Sequence, residues 1–385
     1  MSRAFSAAAA LLILCVAATP LPAAPPADRD TLPLGGPVVS SEFIFTEAPF
    51  ASCHASTIAE TPDGSLVAAW FGGTREGAGD VAIWSSRKEP GETTWSAPVM
   101  IGDADGDLDG DDVPCWNPVL FQPKDGGPLA LFFKQARTIP EWQGVLQFSH
   151  DGGKTWGDRR VLPECFIGPV KNKPVELSDG TILCPTSTEH NGWRVHFEFI
   201  PDFNKTWSRT EAINTKSEGG AIQPSVLFHR DGRLQAICRN RDGSGKLWQT
   251  WSEDEGRTWS NLEPTTLPNP CSGTDAVTLA DGRQFLVYNH TNSKTGGRDV
   301  LNAAVSDDGE NWRAVCELQH GRGEFSYPSV IQGKDGTIHI VYTWRRKQIV
   351  HAALDPAKIQ GVPIVDGAWP AEVGLAGSGE RAKRP

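Results

Sequence analysis

Two stretches decide the fold: SHDGGKTW at residues 149–156 and SEDEGRTW at residues 252–259. Both fit the pattern S-x-D-x-G-x-T-W, and weaker copies follow the same plan. These are PGETTW ending at Trp95, PDFNKTW ending at Trp207 and SDDGENW ending at Trp312. The pattern suits a hairpin corner. The aspartate caps turn amides, the glycine or asparagine takes left-handed backbone, and the tryptophan fills the space between hairpins. Because its polar groups have local backbone work, the motif reads as structural rather than catalytic.

Working outward, each tryptophan lies 28 to 32 residues after an Asp-Gly pair: Asp63-Gly64, Asp125-Gly126, Asp179-Gly180, Asp231-Gly232 and Asp281-Gly282. A sixth pair, Asp335-Gly336, follows. Every pair sits between short apolar runs, as in PSVLFHRDGRLQAIC, and Asp-Gly tolerates the positive φ of a tight hairpin turn. Six units of about fifty residues, each with room for four strands, predict an all-β, six-bladed β-propeller. The sixth unit lacks a tryptophan motif, so VVSSEFIFTE (38–47) is expected to supply the missing strand and close the ring in the last blade.

The flanks read differently. Residues 1–24, with Arg3, the apolar run AAAALLILCVAA and small residues near Ala23, read as an export signal too short for a comfortable membrane span. Residues 25–37 read as a flexible linker, 38–365 as the propeller and 366–385 as a loose tail. The expected location is therefore periplasmic or extracellular, with no membrane span. The formal net charge of −11 argues against a nucleic-acid partner. Seven cysteines beyond the signal are far apart and read as mostly buried thiols, with no His/Cys metal spacing. The acidic run DADGDLDGDD (103–112) lacks the closing glutamate of an EF-hand and reads as a solvated loop. No cofactor is expected, and a structural calcium ion is the less favoured reading.

In a propeller the innermost strand of each blade lines the central channel. Aligning the strands that precede each Asp-Gly places one polar residue per blade at one channel mouth: His54, Asn117, Lys173, Gln223, Asp275 and Tyr327. Six different side chains at one repeated position suit six different jobs, and a mouth with convergent polar groups is a binding-site candidate. The alternative is a ring of water-bonded residues. The following strands add Lys134, Ser187, Arg239 and Asn289.

With these residues the chain resembles the sialidase (neuraminidase) superfamily, in its bacterial BNR, or Asp-box, repeat-like branch, from about residue 40 to 356. SYPSVIQGKDGTIHIVY is similar to the family's last-blade nucleophile motif, which puts Tyr327 in that role. DGRLQAICRN gives Arg239 and TGGRDVLNAAVSDDG gives Arg298 as two of three carboxylate-gripping arginines. FGGTREGAGDVAIW gives Asp80 as acid/base, with Glu76 as rival. Two positions differ: His54 stands where the family has its first arginine, and Gln223 stands where it has the glutamate that assists the tyrosine. The resemblance implies an exo-acting glycoside hydrolase that removes a terminal carboxylate-bearing sugar from a glycan, sialic acid first and a uronate second.

A neutral phenol avoids repulsion from an anionic sugar, and sialidases depart from the usual two-carboxylate scheme in this way. A phenol with pKa near 10 needs a base within hydrogen-bond reach. Gln223 can orient but cannot take a proton, so neighbouring blades offer Asp275 or His54. Lys173 and Arg75 would add positive charge for the substrate. A uronate-directed polysaccharide lyase and a non-catalytic glycan-binding propeller remain alternative readings.

Overall fold

The computed structural model describes residues 32–376 apart from 104–111, 191, 216, 218, 242 and 293–295. The expected export signal, the acidic run except its two ends and the last nine residues lie outside the described residues. Six antiparallel sheets form in chain order, one per repeat. Their innermost strands are Ser52–Glu60, Cys115–Phe121, Val175–Glu176, Ala221–Phe228, Asp275–Thr278 and Phe325–Gln332. We number the blades 1 to 6 accordingly. Blade 6 is completed on its outer edge by Val38–Phe43, antiparallel to Gln348–Leu354, so the start of the described chain closes the ring as expected.

Packing explains why the ring holds. Six apolar clusters fill the spaces between adjacent blades. Val287, Leu301, Ile340 and Tyr342 lie between blades 5 and 6, and Phe71, Ile83, Leu120 and Phe133 lie between blades 1 and 2. The other four spaces are filled in the same way. The hairpin motifs do the local work expected of them. Asp254 accepts from Ser252 Oγ at 2.9 Å, Thr258 N at 2.8 Å and Thr258 Oγ1 at 2.6 Å. Asp151 and Asp308 repeat this with Thr155 and Asn311. The Trp259 ring then stacks on Phe197 of blade 3, with centroids 4.0 Å apart.

The C-terminal side departs from expectation. Val362–Pro363 adds a fifth strand to blade 5. Residues 366–376, expected to belong to a loose tail, run back along that blade. Gly367 O meets His290 Nε2 at 2.9 Å, and Leu375 bridges Glu317 in parallel. Part of the expected linker is also placed, since Leu34 N donates to Ala376 O. Apolar residues dispersed in a Pro- and Gly-rich segment give no period by which to recognise such an edge addition.

The closing strand is fixed by one carboxylate. Glu42 Oε1 accepts from Lys88 Nζ at 2.6 Å and Trp95 Nε1 at 3.0 Å, and meets His351 Nδ1 at 3.1 Å. His351 in turn meets His339 at 3.1 Å. Burial, aided by the charge of His351, pushes His339 from 6.5 down to about 4. Burial works to raise Glu42, but its bonds to His351 and Lys88 win and bring it to about 2.

Three outcomes follow for stability. Glu42→Ala costs about 1–3 kcal/mol in chemical denaturation, because it orphans buried Trp95 and His351 and half-buried Lys88. The unfolded chain takes up a proton at His339 that the folded one resists, so the melting temperature falls as pH drops from 6.5 to 4. A second loss, from Glu42, follows below the ordinary carboxylate range. Asp254→Ala costs a similar 1–3 kcal/mol while leaving the channel mouth unchanged by crystallography.

Candidate active site at the channel mouth

The inner strands of blades 1, 2, 4 and 6 share one irregularity. Pairing with the next strand is regular up to His54, Trp116, Ile222 and Ser326 and resumes at Thr57, Val119, Ser225 and Ser329. The first skipped residue in each, Ala55, Asn117, Gln223 and Tyr327, has φ of +57°, +39°, +56° and +51°. Three of the four precede proline, which disfavours helical backbone at that position and leaves few conformations that make this bend. Each such residue carries of order 1–3 kcal/mol of strain.

The bulge register corrects the expected ring. Ala55, not His54, is the blade 1 counterpart of Tyr327. Asp275 lies one storey deeper, level with Ser225 and Val330, with Oδ1 accepting from Ser225 Oγ at 2.8 Å and Oδ2 from Val330 N at 2.8 Å. Lys173 lies at that depth too, its Nζ 2.9 Å from Asp275 Oδ2. The blade 3 residue beside the tyrosine is Lys171, which the sequence reading missed. Its Nζ is 5.9 Å from the Tyr327 ring centroid and donates to Asn172 Oδ1 and Thr274 O, each at 2.8 Å. Burial pushes Lys171 from 10.5 down to about 7.

Tyr327 is buried, and its Oη is met by Arg239 Nη1 at 2.6 Å and Gln223 Nε2 at 3.5 Å. Both contacts donate to the oxygen, and neither takes its proton. Neither expected base is at Oη. Asp275 is committed as described. His54 packs its ring on the tyrosine ring, centroids 4.1 Å apart, with Nδ1 on Thr343 Oγ1 at 3.0 Å and Nε2 3.8 Å from Glu324. Burial, then the charge of Arg346, holds His54 well below 6.5. It is a neutral wall of the site rather than a base on the tyrosine.

Three arginines converge. Arg239 and Arg298 place guanidinium carbons 5.7 and 5.4 Å from the Tyr327 ring centroid. Arg239 also lies 5.0 Å from the Trp193 ring, and its buried Nε has no hydrogen-bond partner among the described residues. Glu324 bridges Arg298, at 2.8 Å, and Arg346, at 2.9 Å. Arg346 pairs with Glu76 at 2.5 Å as well. The sequence reading missed Arg346. It sits with Arg345 in a two-residue turn closed by Lys347 N to Trp344 O, both at positive φ, +53° and +54°. Such turns favour asparagine and glycine. Two arginines there mean strain retained to aim a charge, and WRRKQ was the available signal.

The remaining expected residues are spread around this centre. Asp80 is exposed and turned onto its own loop, its Oδ2 accepting from Thr74 N at 2.9 Å and from Thr74 Oγ1. Its Oδ1 has no hydrogen-bond partner among the described residues. Arg75 is exposed on the same loop, and Asn117 is buried at the blade 2 bulge. Of the four second-strand residues, Arg239 alone reaches the tyrosine. Ser187 Oγ accepts from Gln223 N at 3.1 Å, Asn289 Nδ2 donates to Phe325 O at 2.8 Å, and buried Lys134 donates to Pro169 O. No group of three or more potential metal ligands occurs among the described residues.

The family described as a BNR repeat-like domain matches residues 64–340. The chain belongs to it. Solved structures with the same propeller include the NanB sialidase from Streptococcus pneumoniae, 13% identical, with a TM-score of 0.66 over 86% of this chain and 72% of that one. The intramolecular trans-sialidase from Ruminococcus gnavus is 14% identical, with a TM-score of 0.67 over 85% and 99%. A Trypanosoma rangeli sialidase is 16% identical, with a TM-score of 0.63 over 87% and 60%. At these identities the likeness establishes the sialidase-type fold of this BNR-repeat protein. No helix among the described residues is long and apolar enough to cross a membrane.

The bulge gives a clean test. Ala55→Gly relieves positive φ at the loss of one methyl and raises stability by about 0.5–1 kcal/mol, whereas Ala59→Gly in the regular part of the same strand lowers it. Paired denaturation curves read both.

Proposed function

We propose that this chain is an exported exo-acting glycoside hydrolase for a terminal sugar bearing a carboxylate, sialic acid being the first candidate. One observation carries the reading: a tyrosine Oη held 2.6 Å from Arg239 inside a cluster of three arginines. Arginines bind carboxylates through paired charge-assisted hydrogen bonds, and Arg239 has no carboxylate among its direct hydrogen-bond partners in the described residues. Arg298 and Arg346 complete the grip, with Glu324 fixing their mutual geometry. The two solved sialidases named above add weight to hydrolysis.

In this reading Tyr327 Oη bonds to the anomeric carbon as the glycosidic C–O bond breaks, its own proton passing to water. A proton from Asp80 goes to the leaving oxygen. Water then cleaves the sugar–tyrosine bond: its hydroxyl goes to the sugar, its proton restores the acid of Asp80, and Tyr327 leaves as a phenolate that takes its proton back from solvent. Asp80 is preferred over Glu76 because Oδ1 of Asp80 is uncommitted, while Glu76 is paired with Arg346. The N-terminal apolar run supports export.

A second reading has its own support. No carboxylate lies in hydrogen-bond contact with Oη among the described residues, which suits a propeller that binds such glycans without cleaving them. Purified protein is incubated with sialosides and with uronate-capped oligosaccharides. Release of the terminal sugar, abolished in Tyr327→Phe and reduced at least a hundredfold in Asp80→Asn, is expected. Binding without turnover on every substrate would establish the second reading. An unsaturated product absorbing in the near ultraviolet would mark a lyase instead.

A further inference from the structure

Glu189 is absent from the sequence reading and follows the blade 3 strand Ile182–Thr188 at the channel mouth. Its Oε1 accepts from Gln223 Nε2 at 3.1 Å. The same nitrogen lies 3.5 Å from Tyr327 Oη, and Gln223 Oε1 lies 3.4 Å from Arg239 Nη1. Both neighbours therefore dictate one orientation of the amide. An arginine offers only donors and must face Oε1, whereas an ionised carboxylate offers only acceptors and must face Nε2. The second Nε2 hydrogen is left for Oη.

We infer that Glu189 is a positioning residue for Tyr327, acting through Gln223: in its ionised form it locks the amide so that Nε2 points at Oη. This rests on the hydrolase reading and deepens it. Once protonated, Glu189 can donate instead of accept, and the lock weakens to the single long contact with Arg239. Groups from three blades act on the carboxyl. Gln223 and Arg239 come from blade 4, Lys134 from blade 2 and Glu76 from the blade 1 loop. Burial raises Glu189 above 4.5, with Glu76 adding to the rise, and Arg239, Gln223 and Lys134 oppose them. The locked state thus fades on the acid side at a pH above the ordinary carboxylate value. Trp193, stacked on Arg239, limits how far that guanidinium can follow a turned amide.

Two measurements test this on the full chain. The first is the pH profile of kcat and KM for Glu189→Gln against wild type. The variant is expected to lose about tenfold in kcat with KM little changed, the scale of one hydrogen bond, and to lose the acid limb of the profile. Adding Gln223→Glu, which puts a carboxylate directly against Oη, is expected to recover kcat. The second needs no turnover: the side-chain amide signals of Gln223 in a ¹⁵N-labelled sample, assigned by their loss in Gln223→Leu. They should move with pH, with a midpoint above 4.5, and stand still in Glu189→Gln. Wild-type kcat and an intact acid limb in Glu189→Gln, or amide signals indifferent to pH in the wild type, overturn the inference. Amide signals that titrate in a protein with no turnover instead overturn the hydrolase reading and leave the Glu189–Gln223 lock standing.

Discussion

A skipped pair in four inner strands governs the site. By placing Ala55, Asn117, Gln223 and Tyr327 at positive φ, each bulge turns its residue out of the ladder, and the side chains of Gln223 and Tyr327 meet at the mouth. Regular pleating would bury these side chains between blades, where a phenol and an amide would need partners that apolar clusters do not offer. The strain is carried by the six interblade cores and by a ring closed through Glu42. A local distortion of 1–3 kcal/mol persists only inside a framework that overdetermines it.

Charge is then layered by depth. The lower storey pairs Lys173 with Asp275 and ties that carboxylate to blades 4 and 6. It is a rivet rather than chemistry: both oxygens are saturated and nothing remains for a substrate. The upper storey leaves one arginine without a direct carboxylate. Arg298 and Arg346 share Glu324, while Arg239 is met by a phenol, an amide and the Cys271 thiol, none of them a carboxylate. A guanidinium with no carboxylate in direct contact, its nearest acid Glu189 standing behind Gln223, keeps much of its charge in a concave, partly desolvated mouth. Burial first, and then the charge of Arg346, keeps His54 neutral beside these arginines.

The site was partly legible. The residues Tyr327, Arg239, Arg298 and Gln223, which the structure brings together, are legible because they sit in or beside the repeated hairpins, where period fixes position. Errors came where period is not enough. His54 was aligned one residue off because a bulge inserts a residue without leaving a mark in hydrophobic alternation. Lys173 was chosen over Lys171 because blade 3 has only a two-residue inner strand to align. Arg346 was missed because a turn of two arginines looks like a solvated surface, and Glu189 because a lone acid after a strand is a common loop residue.

The sequence by itself determined the number of blades, the hairpin corners and the closing strand. Each is encoded by contacts between residues close in the chain or by a pattern repeated six times, so local chemistry and period suffice to read them. Only the tertiary structure decided which polar groups meet. Arg346 from a blade 6 turn, Glu324 before the last inner strand, Glu76 from blade 1 and Glu189 from blade 3 come together around Tyr327 because the ring closes. Nothing in their own neighbourhoods in the chain marks them out. A propeller gathers its site from the ends of separate blades, and a one-residue shift in a bulge changes which side chain arrives.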